Sequence, residues 1–82
     1  MRLPRDLSGD ALAAGLRRFG YESTRQTGSH LRLTRRTEGT EHHVTVPRHA
    51  TLRVGTLSAI LGDIAEHLGL DRDELTSQLF GR

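Results

Sequence analysis

The residues best suited to chemistry lie in one short run, Gly28-Ser29-His30-Leu31-Arg32-Leu33. A strand sends successive side chains to opposite faces. Leu31 and Leu33 therefore point one way, and His30, Arg32 and Thr34 the other. If the leucines face a core, the imidazole and the guanidinium stand side by side on an open surface. Gly28 and Ser29 keep the backbone beside His30 uncluttered, so a bulky substrate can come close. Histidine, with an ordinary pKa of about 6.5, can take or give a proton near neutral pH. A neighbouring arginine can stabilise the charge that gathers on a phosphorane. RNA carries its own nucleophile, the 2′-OH, so the pair suits phosphodiester cleavage: His30 as acid or base, Arg32 on the phosphate. The plain alternative is that His30 is an ordinary polar residue on a wet strand face.

Other candidates are ranked against this one. If the chain stayed extended past Pro47, His49 would lie diagonal to His30, with Cβ atoms about 7–8 Å apart. The favoured expectation is that the loop turns away after Pro47 and His49 only packs or caps. His42 and His43 are adjacent and so face opposite sides. With no cysteine and no i, i+4 histidine pair, no metal site is expected. His67 is expected to face solvent. Arg36 shares the open face, and Arg35, Arg25 and the Arg17-Arg18 pair are further candidates for backbone phosphates, weighed against a simply solvated basic surface.

Composition bounds the setting. The 82 residues suffice for a single domain, expected over residues 1–82. A domain of this size buries only roughly 60% of its unfolded surface, so its core is small. Met1 to Asp6 lacks the apolar run of a signal peptide, and no segment approaches a membrane span. A cytoplasmic protein is the default. The formal net charge is +2, and all 12 basic residues are arginine. Arginine's planar fork matches phosphate oxygens. The charge is uneven: residues 1–55 carry +5, residues 56–82 carry −3. The basic part suits nucleic acid, the acidic end solvent or a protein partner.

The elements that must position His30 can be read in order. Ser8 is a helix N-cap, with Leu7 and Leu12 at staple positions, and Gly20 ends a helix over about 9–19. Tyr21 to Gln26 reads as a short polar strand, with Tyr21, Ser23 and Arg25 on one face and Glu22, Thr24 and Gln26 on the other. The second strand runs from about Ser29 to Arg36, the third from Glu41 to Pro47. With Glu38-Gly39 as a two-residue loop, Leu33 falls opposite Val44 and Leu31 opposite Val46, both on one face. Arg32 then faces Thr45, Thr34 faces His43, and His30 faces Pro47. Leu57, Ile60, Leu61, Ile64 and Leu68 recur at helical spacing. Asp71 and Glu74 form an approximate capping box for a short last helix. The order predicts an α+β fold: a three-stranded antiparallel sheet with helices on one face, the other open.

Four segments carry a resemblance. They are Phe19-Gly20-Tyr21, Arg25 to His30, Val44-Thr45-Val46-Pro47-Arg48-His49, and Gly55-Thr56-Leu57-Ser58-Ala59-Ile60-Leu61. In this order and spacing the chain resembles the HicA family of bacterial toxins from Leu7 to about Leu70. The resemblance implies a double-stranded-RNA-binding-like fold, α-β-β-β-α, here with a short extra C-terminal helix. It also implies a toxin of a type II toxin-antitoxin system that cleaves mRNA, blocks translation, needs no metal or small-molecule cofactor, and is silenced by a HicB-family antitoxin. The family's catalytic histidine, the one after Gly-Ser, maps onto His30. Gly28, Ser29, Arg32, Arg36, Arg48 and His49 are the expected RNA-contacting residues. Two other readings stand beside it: a non-catalytic RNA-binding module of the same fold, and a protein-interaction domain docking through its acidic end.

Overall fold

The computed structural model describes residues 3–81; Met1, Arg2 and Arg82, counted above in the charge and the N-terminal reading, lie outside it. The order is helix α1 (Gly9–Leu16) with a 3-10 turn (Arg17–Phe19), strands β1 (Tyr21–Thr27), β2 (His30–Thr37) and β3 (Thr40–Pro47), then helices α2 (Val54–Leu68) and α3 (Arg72–Phe80). The strands form one antiparallel sheet in the order β1-β2-β3. The expected α+β architecture is present. Among the described residues no helix is long and apolar enough to cross a membrane.

The hairpin of β2 and β3 follows the hydrophobic pattern. Leu31 pairs with Val46, Leu33 with Val44, Arg32 with Thr45, Thr34 with His43 and His30 with Pro47. Any one-residue slip would carry the slipped strand's two apolar side chains to the open face. All four are buried together with Leu12 and Leu16 of α1, Leu57, Ile60, Leu61 and Ile64 of α2, and Leu75 of α3. Each such side chain contributes about 1.5–3 kcal/mol by leaving water. Helices therefore cover one face of the sheet, and the His30 face is left bare.

Ser8 caps α1 through its hydroxyl, which accepts from the Ala11 N–H at 3.0 Å. The capping box expected at α3 is not made. Asp71 occupies the N-cap position with an extended backbone, but its side chain bonds no helix N–H. The negative first turn, with Asp73 and Glu74, still complements the helix dipole.

One larger correction concerns β1. Ser23 pairs with Leu33 and Arg25 pairs with Arg32, so Thr24 is an extra residue, a β-bulge. Past the bulge the faces exchange. Tyr21 and Ser23 lie on the helix side, as strict alternation predicts, but Arg25 and Thr27 join the open face and Gln26 goes to the helix side. The Thr24 hydroxyl holds the bulge through Thr34 Oγ1 at 2.7 Å and the Arg32 carbonyl at 3.3 Å.

Candidate active site

His30 is the first residue of β2, immediately after the Gly28-Ser29 turn. Gly28 has φ +55°, a conformation that costs a glycine nothing and strains a residue with Cβ. The tight turn leaves His30 exposed at the tip of the sheet, beside Thr27 on one side and Pro47 on the other. Its imidazole has no hydrogen bond or ion pair among the described residues. One pleat period along, about 6.5–7 Å, Arg32 stands between Arg25 and Thr45. Neither Arg25 nor Arg32 has a carboxylate partner among the described residues. The open face therefore places an unengaged imidazole next to two unengaged guanidinium groups.

The next rows of this face are occupied by their own contacts. Thr34 is only 2% exposed, although it lies on the bare face, because Thr24 and His43 close over it. Its hydroxyl lies 2.9 Å from His43 Nδ1, and His43 Nε2 lies 3.4 Å from Glu41. The Thr24 hydroxyl has one proton to share between the Arg32 carbonyl and the closer Thr34; when it goes to Thr34, Thr34 donates to His43 and His43 to Glu41. Arg36 closes the row with a 2.9 Å bond from Nε to Glu41, and this bond holds the Glu41 carboxyl below its ordinary range. His43 is four residues of strand from the His30 row, about 13 Å, and cannot share a substrate proton with it.

The remaining expected contacts sit around the tip. Arg48 N–H donates to the Ser29 carbonyl at 2.6 Å, so the antiparallel ladder runs one residue beyond Pro47. Beyond that bond the chain leaves the sheet, since β3 ends at Pro47, and His49 serves the start of α1, as the favoured expectation has it. His49 is exposed, and its carbonyl accepts from the Gly9 N–H at 3.0 Å, fixing it to the start of α1. The Arg48 side chain points to the helix side, where Nε and Nη2 bond both carboxylate oxygens of Asp10 at 2.9 and 3.0 Å. This fork lowers the Asp10 pKa and raises that of Arg48. The structure thus gathers Gly28, Ser29 and His30 at the tip of the sheet, with Arg32 one row in, and keeps Arg36 and Arg48 engaged with carboxylates.

Arg25 is the residue that sequence reasoning left among the general phosphate candidates and on the wrong face. Tyr21 is the one apolar residue of β1. Beyond it, no hydrophobic alternation reveals a register, and a bulge leaves no mark.

A second polar cluster lies on the helix side, between the sheet and α2. Tyr21 Oη is 2.6 Å from His42 Nδ1, and His42 Nε2 is 3.1 Å from Asp63. Burial pushes the Tyr21 phenol up to about 12, so it remains the donor and His42 presents its Nε2–H to Asp63. His67, expected in solvent, is instead half-buried and stacked on His42, with centroids 4.2 Å apart and planes 7° from parallel. Arg35 donates to His67 Nε2 at 3.4 Å and to the Phe19 carbonyl at 2.8 Å. Burial, and next the charges of His42 and Arg35, push the His67 pKa down. Among the described residues, no three His, Cys, Asp or Glu side chains are grouped to hold a metal. The groove between α1 and β1, lined by Ala13, Ala14, Arg17, Ser23 and Gln26, contains none of His30, Arg25 and Arg32.

Compared with known proteins, residues 9–70 match the family model described as HicA toxin of bacterial toxin-antitoxin. Nothing among curated proteins or solved structures matches the chain.

Proposed function

The chain belongs to the HicA toxin family of bacterial toxin-antitoxin systems, and from that premise we propose that it is a ribonuclease toxin cutting mRNA at His30. The observation that carries this reading is the imidazole at the tip of β2, unengaged among the described residues, beside guanidinium groups that have no carboxylate partner among them, on a bare sheet face. In the proposed reaction the 2′-oxygen attacks the adjacent phosphorus and the bond to the 5′-oxygen breaks. His30 removes the 2′ proton as base or supplies the proton to the departing 5′-oxygen as acid. Arg32, one row along the same face, binds a phosphate of the same RNA strand and so holds the reacting ribose near the imidazole. The products are a 2′,3′-cyclic phosphate and a 5′-hydroxyl. No step calls for a metal. The Gly28 turn and Ser29 let the ribose-phosphate chain approach the imidazole from the tip.

The partner expected of a toxin is an antitoxin, and we assign it to the HicB family. An inhibitor that covers His30 would mask the RNA face at the same time. The site of action would be the cytoplasm, where mRNA is translated.

Incubation of the purified chain with bare RNA in excess chelator tests the proposal. Fragments with cyclic-phosphate and 5′-hydroxyl ends are expected. Intact RNA that is nevertheless bound would favour the alternative, a non-catalytic RNA-binding module. Fragments with 5′-phosphate ends would rule out attack by the 2′-oxygen.

A further inference from the structure

We propose that Arg25 and Arg32 form a two-guanidinium clamp for a backbone phosphate of the RNA, one row inward from the phosphodiester that His30 reaches. This rests on the RNA reading above and adds to it a residue, a ligand position and a reason for the β1 bulge.

Arg25 and Arg32 are direct partners across β1 and β2. Side chains in that relation have Cβ atoms about 4.5–5.5 Å apart, and like charges there repel. A fold usually relieves such a pair with a carboxylate. This chain does so elsewhere: Arg36 has Glu41 and Arg48 has Asp10. Arg25 and Arg32 have none among the described residues. Regular alternation would have sent Arg25 to the helix side, away from Arg32. The Thr24 bulge, secured by Thr34 and the Arg32 carbonyl, brings the two onto one face instead. Bulges commonly re-aim side chains beside functional sites. The third residue of the row is Thr45, whose hydroxyl is a neutral donor.

Two forked cations with a hydroxyl beside them suit a phosphate, which accepts several N–H bonds and neutralises the repulsion. The clamp lies one pleat period, about 6.5–7 Å, from the His30 row. A strand laid along the face would place one phosphate at His30 and another between the arginines. Tight anchoring there would hold the reacting ribose in line, which is how remote binding contributes to a chemical step.

The test uses the full chain with His30→Ala, so that binding is read without cleavage. The probe is a fluorescent single-stranded RNA of mixed sequence, titrated over a range of salt. Adding Arg25→Ala should weaken binding roughly tenfold and make the salt slope shallower by about 0.7. Arg25→Lys should restore the slope but not all of the affinity. Arg53→Ala, an exposed arginine at the start of α2, should change neither. Thermal melting without RNA should show Arg25→Ala as stable as the parent or more so, because a repulsion has gone. A residue with a merely structural role would lower it. An unchanged slope in Arg25→Ala would overturn the clamp, as would a loss no larger than that of Arg53→Ala. Absence of RNA binding by the His30→Ala chain would do the same. If Arg25→Ala instead weakens only the binding of polyglutamate, the pair serves an acidic protein segment and the RNA clamp is wrong. The clamp is judged by binding alone, so wild-type chain that binds but fails to cut would sink the nuclease reading and leave the clamp standing.

Discussion

The carbonyl of Pro47, the residue paired with His30 across the sheet, sits so close to Gly9 that no side chain fits between them. Here the helix α1 start, the β3 end and the candidate active site meet. The Gly9 N–H bonds the His49 carbonyl and the Leu52 N–H bonds the Leu7 carbonyl, so the loop after β3 is laced to the chain before α1. Replacing Gly9 with alanine would drive a methyl into backbone atoms that cannot rotate away. We expect Gly9→Ala to cost about 1–3 kcal/mol of unfolding free energy, with RNA cleavage falling further than the loss of folded protein explains. Urea unfolding and activity per folded molecule are the measurements. Unaltered stability would mean that this contact is looser than the structure has it.

Asp10 and Arg48 extend the same seam with their two-pronged bond. Asp10→Ala and Arg48→Ala should each lower the melting temperature, and the double variant should fall no further than either single one. Their effects on RNA should differ in sign. Asp10→Ala frees a guanidinium that can swing from the helix side round the sheet tip and should raise affinity, while Arg48→Ala should lower it. Additive melting losses would show that the pair carries no coupling.

Legibility in the sequence followed the hydrophobic pattern. The β2-β3 register was readable to the residue because Leu31, Leu33, Val44 and Val46 admit one alignment only. His30 could be placed at the sheet tip for the same reason. β1 has no such pattern after Tyr21, so the Thr24 bulge and the true face of Arg25 stayed hidden. Partners distant along the chain were also invisible. Arg48 finding Asp10, and His67 finding His42, depend on how α1 and α2 lie across the sheet, which spacing within one element does not encode.

Acid should loosen the α2 contact before it attacks the carboxylates. The His67 pKa is lowered in the folded chain from an ordinary 6.5. Below about 6.5 the unfolded chain then binds a proton that the folded chain refuses, and stability falls with pH until His67 itself is protonated. Above that value both states are neutral there and the contribution is flat. Asp10 and Glu41, lowered from 3.8 and 4.5, add a second loss at lower pH as their bonds to arginine are protonated away. Denaturant unfolding from pH 7.5 to 5 should show the first decline, and His67→Gln should flatten it. An equally steep decline in His67→Gln would assign it to another group.

The central claim is that the His30 imidazole moves the proton in RNA cleavage, and the most direct measurement is the rate at which His30→Ala cuts RNA, taken beside its circular dichroism and melting curve. His30 is exposed and makes no hydrogen bond or ion pair among the described residues, so the variant should fold and melt as the parent does. Its cleavage should fall by at least about 10²-fold, the usual contribution of a positioned acid or base, and its expression should no longer arrest growth. A folded His30→Ala chain that cuts RNA at the parental rate would contradict the account.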